Sequence, residues 1–600
     1  MNITSGLYKF TISLFFLIFV ASCSNSTSEK NNTTAQSDDQ KLLNVITKYD
    51  DYHLNSSPFN NAEKKGNNAL LPDLSPNTLA KNHQALSTIY EELELINTDN
   101  LSVDNKINLS VLSYSIKNTL DNYTNNEHYM PLTAESGFHV YISYIAQKVQ
   151  FKSKQDYQDY LTRLASLPRY FEQQTYWMKE GIKAGIVQPK IVLIGFEDSI
   201  KAFIKEDVTQ STYYTPFLSM SEHVSDEDKA TLQQTAKDLI STKVIPTYKQ
   251  YYQFMVDEYK PNARDNIAAS SLPGGKAYYQ NRVDHYTTIN LTADEVHQQG
   301  LEEVKRIRAQ MEAIIEEVNF DGSFADFIQF LRTDEQFYAK TPLELIKEAS
   351  YISKEMDARL PPLFKTLPRT PYGVMAVPEN IAPKYTTGRY AGPSREGLPG
   401  YYWVNTYRLD RRPLYVLPAL TLHEAVPGHH LQISLANEME DVPEFRNRTY
   451  ISAFGEGWGL YSEYLGIEAG MYKTPYENFG RLTYEMWRAC RLVVDTGMHQ
   501  MGWTRDEAIN YLSSNTALSL HNVKTEIDRY ISWPGQALSY KIGEITIKKL
   551  RKKAELELGE SFDIREFHDQ ILKNGSMPLS MLEAVIDQYI EQEKDKKTQA

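Results

Sequence analysis

Residues 423–432 read HEAVPGHHLQ and follow an apolar run. In the zinc-binding signature HExxH, two histidines lie on one face of a helix, and the glutamate beside the first histidine polarises a bound water. Here His423 and His429 are six residues apart, so a straight helix would separate them by about 9 Å along its axis. His430 would share a face with His423 but lie about 10.5 Å away, too far for one ion with Zn–N bonds of about 2 Å. A regular helix therefore cannot form this site.

Pro427 and Gly428 interrupt the motif where an irregular backbone can bring two of the histidines together. Proline removes an amide donor and clashes with the preceding turn, whereas glycine tolerates the conformations of a bulge or break. Without residues 426–427 the sequence would be a regular HExxH with His429 as the second ligand. We therefore predict His423 and His429 as ligands and Glu424 as the general base. An alternative interpretation is that these polar residues cap a helix break.

The third ligand is expected downstream, where residues 455–463 read GEGWGLYSE on a predicted helix. Glu456 is our candidate, because two histidines and one carboxylate leave a fourth position for water, which is typical of a catalytic zinc site. Glu463 lies two helical turns further along the same face and is predicted to hydrogen-bond a ligand histidine. The alternative is that both glutamates are solvated side chains on a helix face.

Four blocks of sequence resemble the bacterial DUF885 family and occur in the family's order. They are HEAVPGHHLQ, EGWGLYSE, RLVVDTG at 491–497 followed by His499, and Arg529 and Tyr530 followed by PGQALSYKIG at 534–543. Weaker likeness at 157–189 and 272–311 extends the resemblance over nearly everything after about residue 40. DUF885 is similar in turn to helical gluzincin peptidases of the thimet oligopeptidase and thermostable carboxypeptidase type, which use HExxH with a distal glutamate. Their pattern lacks the two-residue insertion, which leaves open whether His429 or His430 binds the metal.

Composition and periodicity predict a large, mainly α-helical protein. The chain has 600 residues, of which 41% are hydrophobic and 12% aromatic, enough to bury a large core. Amphipathic patterns at 294–318, 341–356 and 576–592 predict helices, and Thr292 and Thr341 are candidate helix starts. The net charge of −14, without a long basic run, argues against nucleic-acid binding.

A small β element is predicted in residues 371–407, which are rich in glycine, proline, aromatic and β-branched residues. Because this segment directly precedes the HE motif, an edge strand there could pair with an extended peptide substrate. A structural hairpin that covers the core is the alternative. A lobe boundary is predicted near 261–275, where proline, serine and glycine interrupt the helical pattern.

The N-terminus resembles a bacterial lipoprotein signal. Lys9 precedes an apolar stretch at 10–21, and small residues stand before Cys23 as in a lipobox. We predict a signal peptide at 1–22, lipidation of Cys23, a flexible tether at 23–42 and a helical domain at 43–595. This places the protein in the cell envelope, anchored in a membrane and facing the periplasm or the exterior. The alternative is an ordinary secretory signal.

Other polar residues in the family blocks are candidates for catalysis and substrate binding. The oxyanion that forms during hydrolysis needs a donor besides the metal, and Tyr530, Tyr540 and His499 are the candidates. Arg529 or Lys541 could bind a substrate carboxylate, which would favour carboxypeptidase or dipeptidase action. Each of the five could instead be structural, through packing or ion pairs.

Taken together, the residues predict a Zn²⁺-dependent hydrolase of peptide bonds, of carboxypeptidase or oligopeptidase type, acting on peptides outside the cytoplasm. Glu424 would take a proton from the attacking water and pass it to the leaving amine. One alternative is a zinc hydrolase of a non-peptide amide or ester. The other is a non-catalytic envelope lipoprotein that binds a ligand, which would not need Glu424. The native metal, zinc rather than cobalt or manganese, and the oligomeric state are left open.

Overall fold

The protein is mainly α-helical, with a small sheet beside the HE motif. The computed structural model describes residues 37–56, 70–379, 381–393 and 397–599. Helix accounts for 71% of the structure, and the described part contains a three-stranded sheet. The prediction of a mainly α fold with a small β element is confirmed.

Thirteen helices precede the sheet in the described part of the chain, and several begin at small polar caps. The side chains of Thr292 and Thr341 accept hydrogen bonds from the backbone amides of Glu295 and Glu344, which confirms both predicted helix starts. These helices are α1 (Asp38–Ser56), α2 (Pro76–Glu94), α3 (Val103–Thr124), α4 (Phe138–Tyr141), α5 (Lys154–Ala184), α6 (Phe196–Lys201), α7 (Asp226–Leu239), α8 (Ile245–Phe254), α9 (Lys260–Asn262), α10 (Gly275–Thr287), α11 (Ala293–Glu317), α12 (Phe324–Thr333) and α13 (Pro342–Asp357). Two π-helical segments, Ile240–Val244 and Met255–Tyr259, connect α7 to α8 and α8 to α9.

The helices after the sheet contain the predicted site. They are α14 (Leu417–Glu424), α15 (His429–Asn437), α16 (Glu444–Arg448), α17 (Ser452–Glu468), α18 (Pro475–His499), α19 (Arg505–Asn515), α20 (Leu520–Ser532), α21 (Ser539–Leu558), α22 (Ile564–Leu572) and α23 (Leu579–Gln599). Helices α17 and α21 pack closely at Gly457 and Gly543, where a Cβ atom on Gly457 would lie 2.5 Å from the Cα atom of Gly543. This contact brings Glu456, which precedes Gly457, and Tyr540, which lies about one helical turn before Gly543, to the same cavity.

The sheet has the order β1-β3-β2, with β1 at Tyr372–Ala376, β2 at Gly388–Ala391 and β3 at Gly400–Val404. Strand β1 pairs with β3 in parallel, whereas β2 pairs with β3 in antiparallel register. Strand β2 is therefore an edge strand, and it packs against α14. All three strands fall within the predicted segment 371–407.

Residues Asp38–Ala600 form one compact unit, and the predicted lobe boundary at 261–275 lies inside it. Helix α1 begins at Asp38, so helix already covers the last residues of the segment 23–42 predicted as a tether. The predicted signal peptide and Cys23 lie outside the described residues. Among the helices that the structure describes, none has both the length and the apolar character needed to cross a membrane.

Candidate metal centre and substrate cleft

The HE motif is divided between two helices. Helix α14 ends at Glu424 and α15 begins at His429. The intervening residues include a cis peptide bond between Val426 and Pro427. A Cβ atom on Gly428 would lie 2.0 Å from the carbonyl oxygen of His423, so only glycine fits at this close approach. The helix break thus accommodates the two additional residues of the motif.

This break brings His423 and His429 together at Glu456 of α17. Atom Nε2 of His423 lies 3.5 Å from Oε2 of Glu456, and Nε2 of His429 lies 3.4 Å from the same oxygen. The two imidazole rings are perpendicular, with centroids 4.7 Å apart. One donor atom from each of the three residues lies within 4.8 Å of the other two.

The three residues form a donor set that can hold zinc. Ligand atoms about 2.1 Å from an ion at tetrahedral angles lie about 3.4 Å apart, close to the separations observed here. Atom Nδ1 of His423 lies 2.8 Å from Oε1 of Glu463, as predicted from the helical spacing of Glu456 and Glu463. This hydrogen bond fixes the ring of His423 and leaves its Nε2 directed at the cluster.

The surroundings of the cluster favour positive charge. Burial disfavours protonation of His423, but hydrogen bonds to Glu456 and Glu463 outweigh it and raise the pKa of His423 to about 9. Burial also opposes ionisation of Glu456, yet His429 and His423 hold the pKa of Glu456 well below its ordinary value. A cation at this point is therefore stabilised by ionised carboxylate.

His430 is directed away from the cluster. Its Nδ1 lies 3.0 Å from the hydroxyl of Tyr390 and 3.3 Å from the hydroxyl of Ser434, and its ring packs against Tyr372. Burial lowers the pKa of His430 to about 4. Of the two candidates left open by the sequence, the structure brings His429, and not His430, to Glu456.

Glu424 is held by the edge strand beside the cleft. The backbone amide of Tyr390 in β2 donates a hydrogen bond to Oε2 of Glu424 at 2.7 Å. Because β2 is an edge strand, this amide is not needed for pairing with β3. The carboxylate follows His423 directly in sequence and lines the same cavity.

A cavity of about 560 Å³ opens beside the cluster. Its volume lies within the range of about 300–1,000 Å³ that is usual for ligand-binding clefts. Residues lining it include His423, Glu424, His429, Tyr450 and Glu456, the β2 residues Gly388, Arg389 and Tyr390, and Trp487, Arg488, Arg491, Glu526, Arg529 and Tyr540. The cluster, the predicted general base and one edge of the sheet therefore share a single cleft.

The sequence profile of the DUF885 family, described as "Bacterial protein of unknown function (DUF885)", matches residues 60–586. The chain belongs to this family. Its structure is similar to that of "the putative lipoprotein from Colwellia psychrerythraea", with a TM-score of 0.85 and 27% identity over 93% of this chain and 100% of that one. It is also similar to "a putative lipoprotein of unknown function from Shewanella oneidensis", with a TM-score of 0.71 and 17% identity over 92% of this chain and 100% of that one, which shows the fold alone. No curated protein matches the sequence.

The two tyrosines predicted as oxyanion donors have different positions in this DUF885 protein. Tyr540 lines the cleft, and its ring stacks near His423 with a centroid separation of 6.5 Å. The hydroxyl of Tyr530 is instead buried, where it donates to Glu526 at 2.7 Å and accepts from Arg491 at 2.7 Å. The role predicted for Tyr530 is therefore not supported, because its hydroxyl is used within the protein.

His499 is a structural residue of this DUF885 protein, contrary to the prediction. Its Nδ1 accepts a hydrogen bond from the backbone amide of Ala269, so Nε2 carries the proton and donates to the carbonyl of Tyr530. Burial lowers the pKa of His499 to about 4. Both ring nitrogens are used in packing α18 against its neighbours, and neither reaches the cleft.

The position of Lys541 does not fit the predicted substrate-binding role, because its side chain is fully buried among acidic residues. Its Nζ lies 2.9 Å from Glu303, 2.9 Å from Glu485 and 2.5 Å from Glu544. These three glutamates form a second acidic cluster, and the lysine ammonium already provides its cation. The alternative stated for Lys541, a structural ion pair, fits its position.

Arg529 does line the cleft, as expected for a substrate-binding residue. It donates to the side-chain oxygen of Gln536 at 2.7 Å and lies 3.4 Å from Glu526. Arg491 shares the same glutamate, at 3.1 Å. The sequence does not indicate a binding role for Arg491, although this residue belongs to the block 491–497, or for Glu526, which lies one helical turn before Tyr530.

Tyr450 is another residue that the sequence did not reveal. Its hydroxyl donates to Oε1 of Glu456 at 3.2 Å, and its ring lies where a Cβ atom on residue 455 would clash. The only sequence signal is a tyrosine shortly before the GEGWG block, which by itself does not distinguish a site residue from a packing residue.

Proposed function

We propose that this DUF885 protein is a zinc-dependent hydrolase of peptide bonds in the bacterial cell envelope. The observation that supports this proposal is the convergence of His423, His429 and Glu456 within 4.8 Å, in the wall of a cleft that also contains Glu424. Two imidazoles and one carboxylate are the donor set of catalytic zinc sites, which keep a position for water or substrate. A zinc ion held there would lower the pKa of water and polarise a substrate carbonyl.

Glu424 is the residue that would move the proton. With Oε2 fixed by the amide of Tyr390, Oε1 is the oxygen that takes a proton from the attacking water and passes it to the leaving amine. Because the side chain is held by backbone rather than by a mobile side chain, little reorganisation precedes the transfer.

Tyr540 and Tyr450 are the residues best placed to stabilise the oxyanion. Both line the cleft, and Tyr540 has no hydroxyl partner among the described residues, so its O–H can donate to substrate. The hydroxyl of Tyr450 donates a hydrogen bond to the carboxylate of Glu456 in the cluster. Tyr450 therefore positions Glu456 and also borders the reaction centre.

The edge of β2 provides a surface for an extended substrate. Its residues Gly388, Arg389 and Tyr390 line the cleft. Glu424 already uses the amide of Tyr390, so a peptide that binds as an additional strand would pair with the other outward-facing backbone groups of β2. Sheet pairing recognises the repeating amide groups that distinguish a peptide from a simple ester. This feature favours peptides over other amide or ester substrates.

The location in the envelope rests on the N-terminal sequence and on the similar structures. The lipobox-like residues before Cys23 support lipidation, and both similar structures are described as putative lipoproteins. The protein would then be anchored in a membrane and face the periplasm or the exterior. Its substrates would be peptides present there.

Metal removal and reconstitution test the proposal. Purified full-length protein would be treated with a chelator, reloaded with zinc and incubated with a peptide mixture that is analysed by mass spectrometry. We expect cleavage to disappear with the chelator and to return with zinc. His423→Ala, treated in the same way, should regain neither zinc nor cleavage. Cleavage that survives complete metal removal would contradict the proposal, whereas zinc-dependent cleavage of only esters or non-peptide amides would change the substrate class.

A further inference from the structure

Two arginines in the wall of the cleft share a single carboxylate. Arg491 Nη2 lies 3.1 Å from Oε2 of Glu526, and Arg529 Nη2 lies 3.4 Å from the same oxygen. Within the described residues, neither arginine has an ion pair with any other carboxylate. Burial opposes the ionisation of Glu526, but Arg529 and Arg491 lower its pKa to about 2. One negative charge therefore faces two positive charges in a buried position.

Arg491 also has an unused hydrogen-bond donor. Its side chain is only 3% exposed, and its Nη1 has no hydrogen-bond partner among the described residues. An arginine keeps its charge in proteins, so this donor cannot be removed by deprotonation. Buried donors without partners are costly, and an anion that enters the cleft would supply the missing acceptor.

The orientation of Arg491 is fixed by its neighbours. Its Nε donates to the hydroxyl of Tyr530 at 2.7 Å, and its guanidinium lies over the rings of Tyr540 and Trp487, at 4.1 and 4.5 Å from their centroids. A planar guanidinium that is held in one orientation recognises a carboxylate through paired hydrogen bonds. Tyr530 and Glu526 are thus positioning residues for Arg491.

The other arginines of the cleft are less suited to this role. Arg488, one turn earlier on α18, lies 3.3 Å from Glu463, the residue that orients His423. The charge of Arg488 is therefore already paired with Glu463, next to the cluster. Arg389 lies on the edge strand and its side chain is exposed, where water weakens recognition of an anion.

Arg491 lies close to the predicted metal centre. Both lie beside the ring of Tyr540, whose centroid is 4.1 Å from the guanidinium carbon of Arg491 and 6.5 Å from the ring centroid of His423. The guanidinium and the His423 ring are therefore within about 11 Å of each other. An extended residue spans about 3.5 Å. A carboxylate bound by Arg491 therefore leaves room for one or two residues before the carbonyl that reaches the cluster.

We infer that Arg491, supported by Arg529, binds the free C-terminal carboxylate of the substrate, so that the protein releases one or two residues from the C-terminal end. The inference rests on the proposed peptide hydrolysis. The C–N bond one or two residues before the carboxylate breaks, the oxygen of water joins the carbonyl carbon, and the released amine takes the proton from Glu424. The substrate class is peptides with an unblocked C-terminus.

A pair of peptides with the same sequence tests the inference on the unaltered full-length protein. One peptide carries a free C-terminal carboxylate and the other a C-terminal amide. We expect amidation to lower kcat/KM roughly 10- to 100-fold, since it removes a charge-assisted hydrogen bond. Cuts in longer free-acid peptides should stay within two residues of the C-terminus. Equal cleavage of acid and amide, or cuts far from the C-terminus, would overturn this inference but leave peptide hydrolysis intact. The absence of cleavage of any peptide by zinc-loaded protein would overturn both.

Two variants test whether Arg491 is responsible for the preference for a free C-terminal carboxylate. Arg491→Gln should bring the acid-to-amide ratio of kcat/KM close to one, mainly by raising KM for the acid. Tyr530→Phe, which keeps the arginine but removes the hydroxyl that orients it, should lower the same ratio by a smaller factor and also tests the inference if Arg491→Gln does not fold. General damage to the structure would slow the cleavage of both peptides equally and leave the ratio unchanged.

The control is Arg448→Gln, because Arg448 pairs with Glu444 outside the cleft. A ratio unchanged in Arg491→Gln would overturn the assignment.

Discussion

The backbone amide of Tyr390 donates a hydrogen bond to Oε2 of Glu424 at 2.7 Å. This bond joins the edge strand β2 to the end of α14, so one backbone atom positions the proposed general base. The same tyrosine uses its hydroxyl to bind His430 at 3.0 Å and so holds that ring away from the cluster. Strand β2 therefore affects both which histidine reaches Glu456 and where the carboxylate of Glu424 lies.

His429→Ala and His430→Ala distinguish the two adjacent histidines. We expect His429→Ala to lose zinc, since its Nε2 lies 3.4 Å from Glu456 in the cluster. His430→Ala removes only contacts to Tyr390, Ser434 and Tyr372, and should keep zinc with a modest loss of stability. Zinc content would be measured on both proteins after gel filtration. Retention of zinc by His429→Ala, or its loss from His430→Ala, would contradict the assignment.

Glu463→Gln should weaken zinc binding without unfolding the protein. The carboxylate lies 2.8 Å from Nδ1 of His423, and loss of such a partner typically costs 10- to 100-fold in metal affinity or activity. Competition with a chromophoric chelator would give the affinity. A comparison with Glu312→Gln, a partly exposed residue paired with Arg308, separates this effect from a general change of charge. Equal zinc affinity in Glu463→Gln and the unaltered protein would exclude the orienting role.

Lys541→Met should destabilise the fold rather than change substrate recognition. Its removal leaves Glu303, Glu485 and Glu544 without the ammonium that pairs with all three. Breaking a buried ion pair in this way lowers the free energy of unfolding by about 3–5 kcal/mol. Urea unfolding would measure the loss, and KM for a cleaved peptide should remain close to that of the unaltered protein. A raised KM with unchanged stability would restore the substrate-binding role.

The raised pKa of Asp495 predicts a pH-dependent contribution to the stability of the fold. Burial raises its pKa to about 7, although Tyr279 and the amide of Gly535 donate to its carboxylate. A raised pKa means that the folded state binds the proton more tightly than the unfolded state. The stabilisation from this proton is therefore fully present below about pH 4 and is lost as the pH rises through about 7. Over this range the free energy of unfolding falls by at most about 4 kcal/mol.

Asp495→Asn should remove this dependence. The amide stays neutral, so between pH 5 and pH 8 the variant should lose less stability than the unaltered protein. Urea unfolding at the two pH values would give the difference. Parallel changes in the two proteins would show that Asp495 titrates near its ordinary value.

Local sequence was enough to predict the cluster, because its geometry depends on features that are close in sequence. The insertion at Pro427 and Gly428 indicated a break, and the seven-residue spacing of Glu456 and Glu463 placed both on one helical face. The mainly α fold and the small β segment followed from periodicity and composition. The orientation of His430 could not be predicted in this way, because it depends on a contact with Tyr390, 40 residues earlier in the chain.

Residues buried through distant contacts could not be assigned from sequence. Lys541 and Tyr530 lie in blocks that resemble functional motifs, yet Lys541 pairs with Glu303 and Tyr530 with Arg491. A sequence without known tertiary contacts does not show that these polar groups are already satisfied. For the same reason the sequence did not indicate Glu526, which forms ion pairs with both Arg491 and Arg529.

Digestion of a diverse peptide mixture by zinc-loaded full-length protein, with zinc-loaded Glu424→Gln as the matched control, tests the proposed activity most directly. The variant changes no metal-cluster residue and should keep its zinc, while loss of the general base should slow turnover by about 10²- to 10⁴-fold. We predict peptide cuts, seen by mass spectrometry, only with the unaltered protein. Equal cutting by both proteins, or no cutting by unaltered protein with confirmed zinc, would contradict the proposed function.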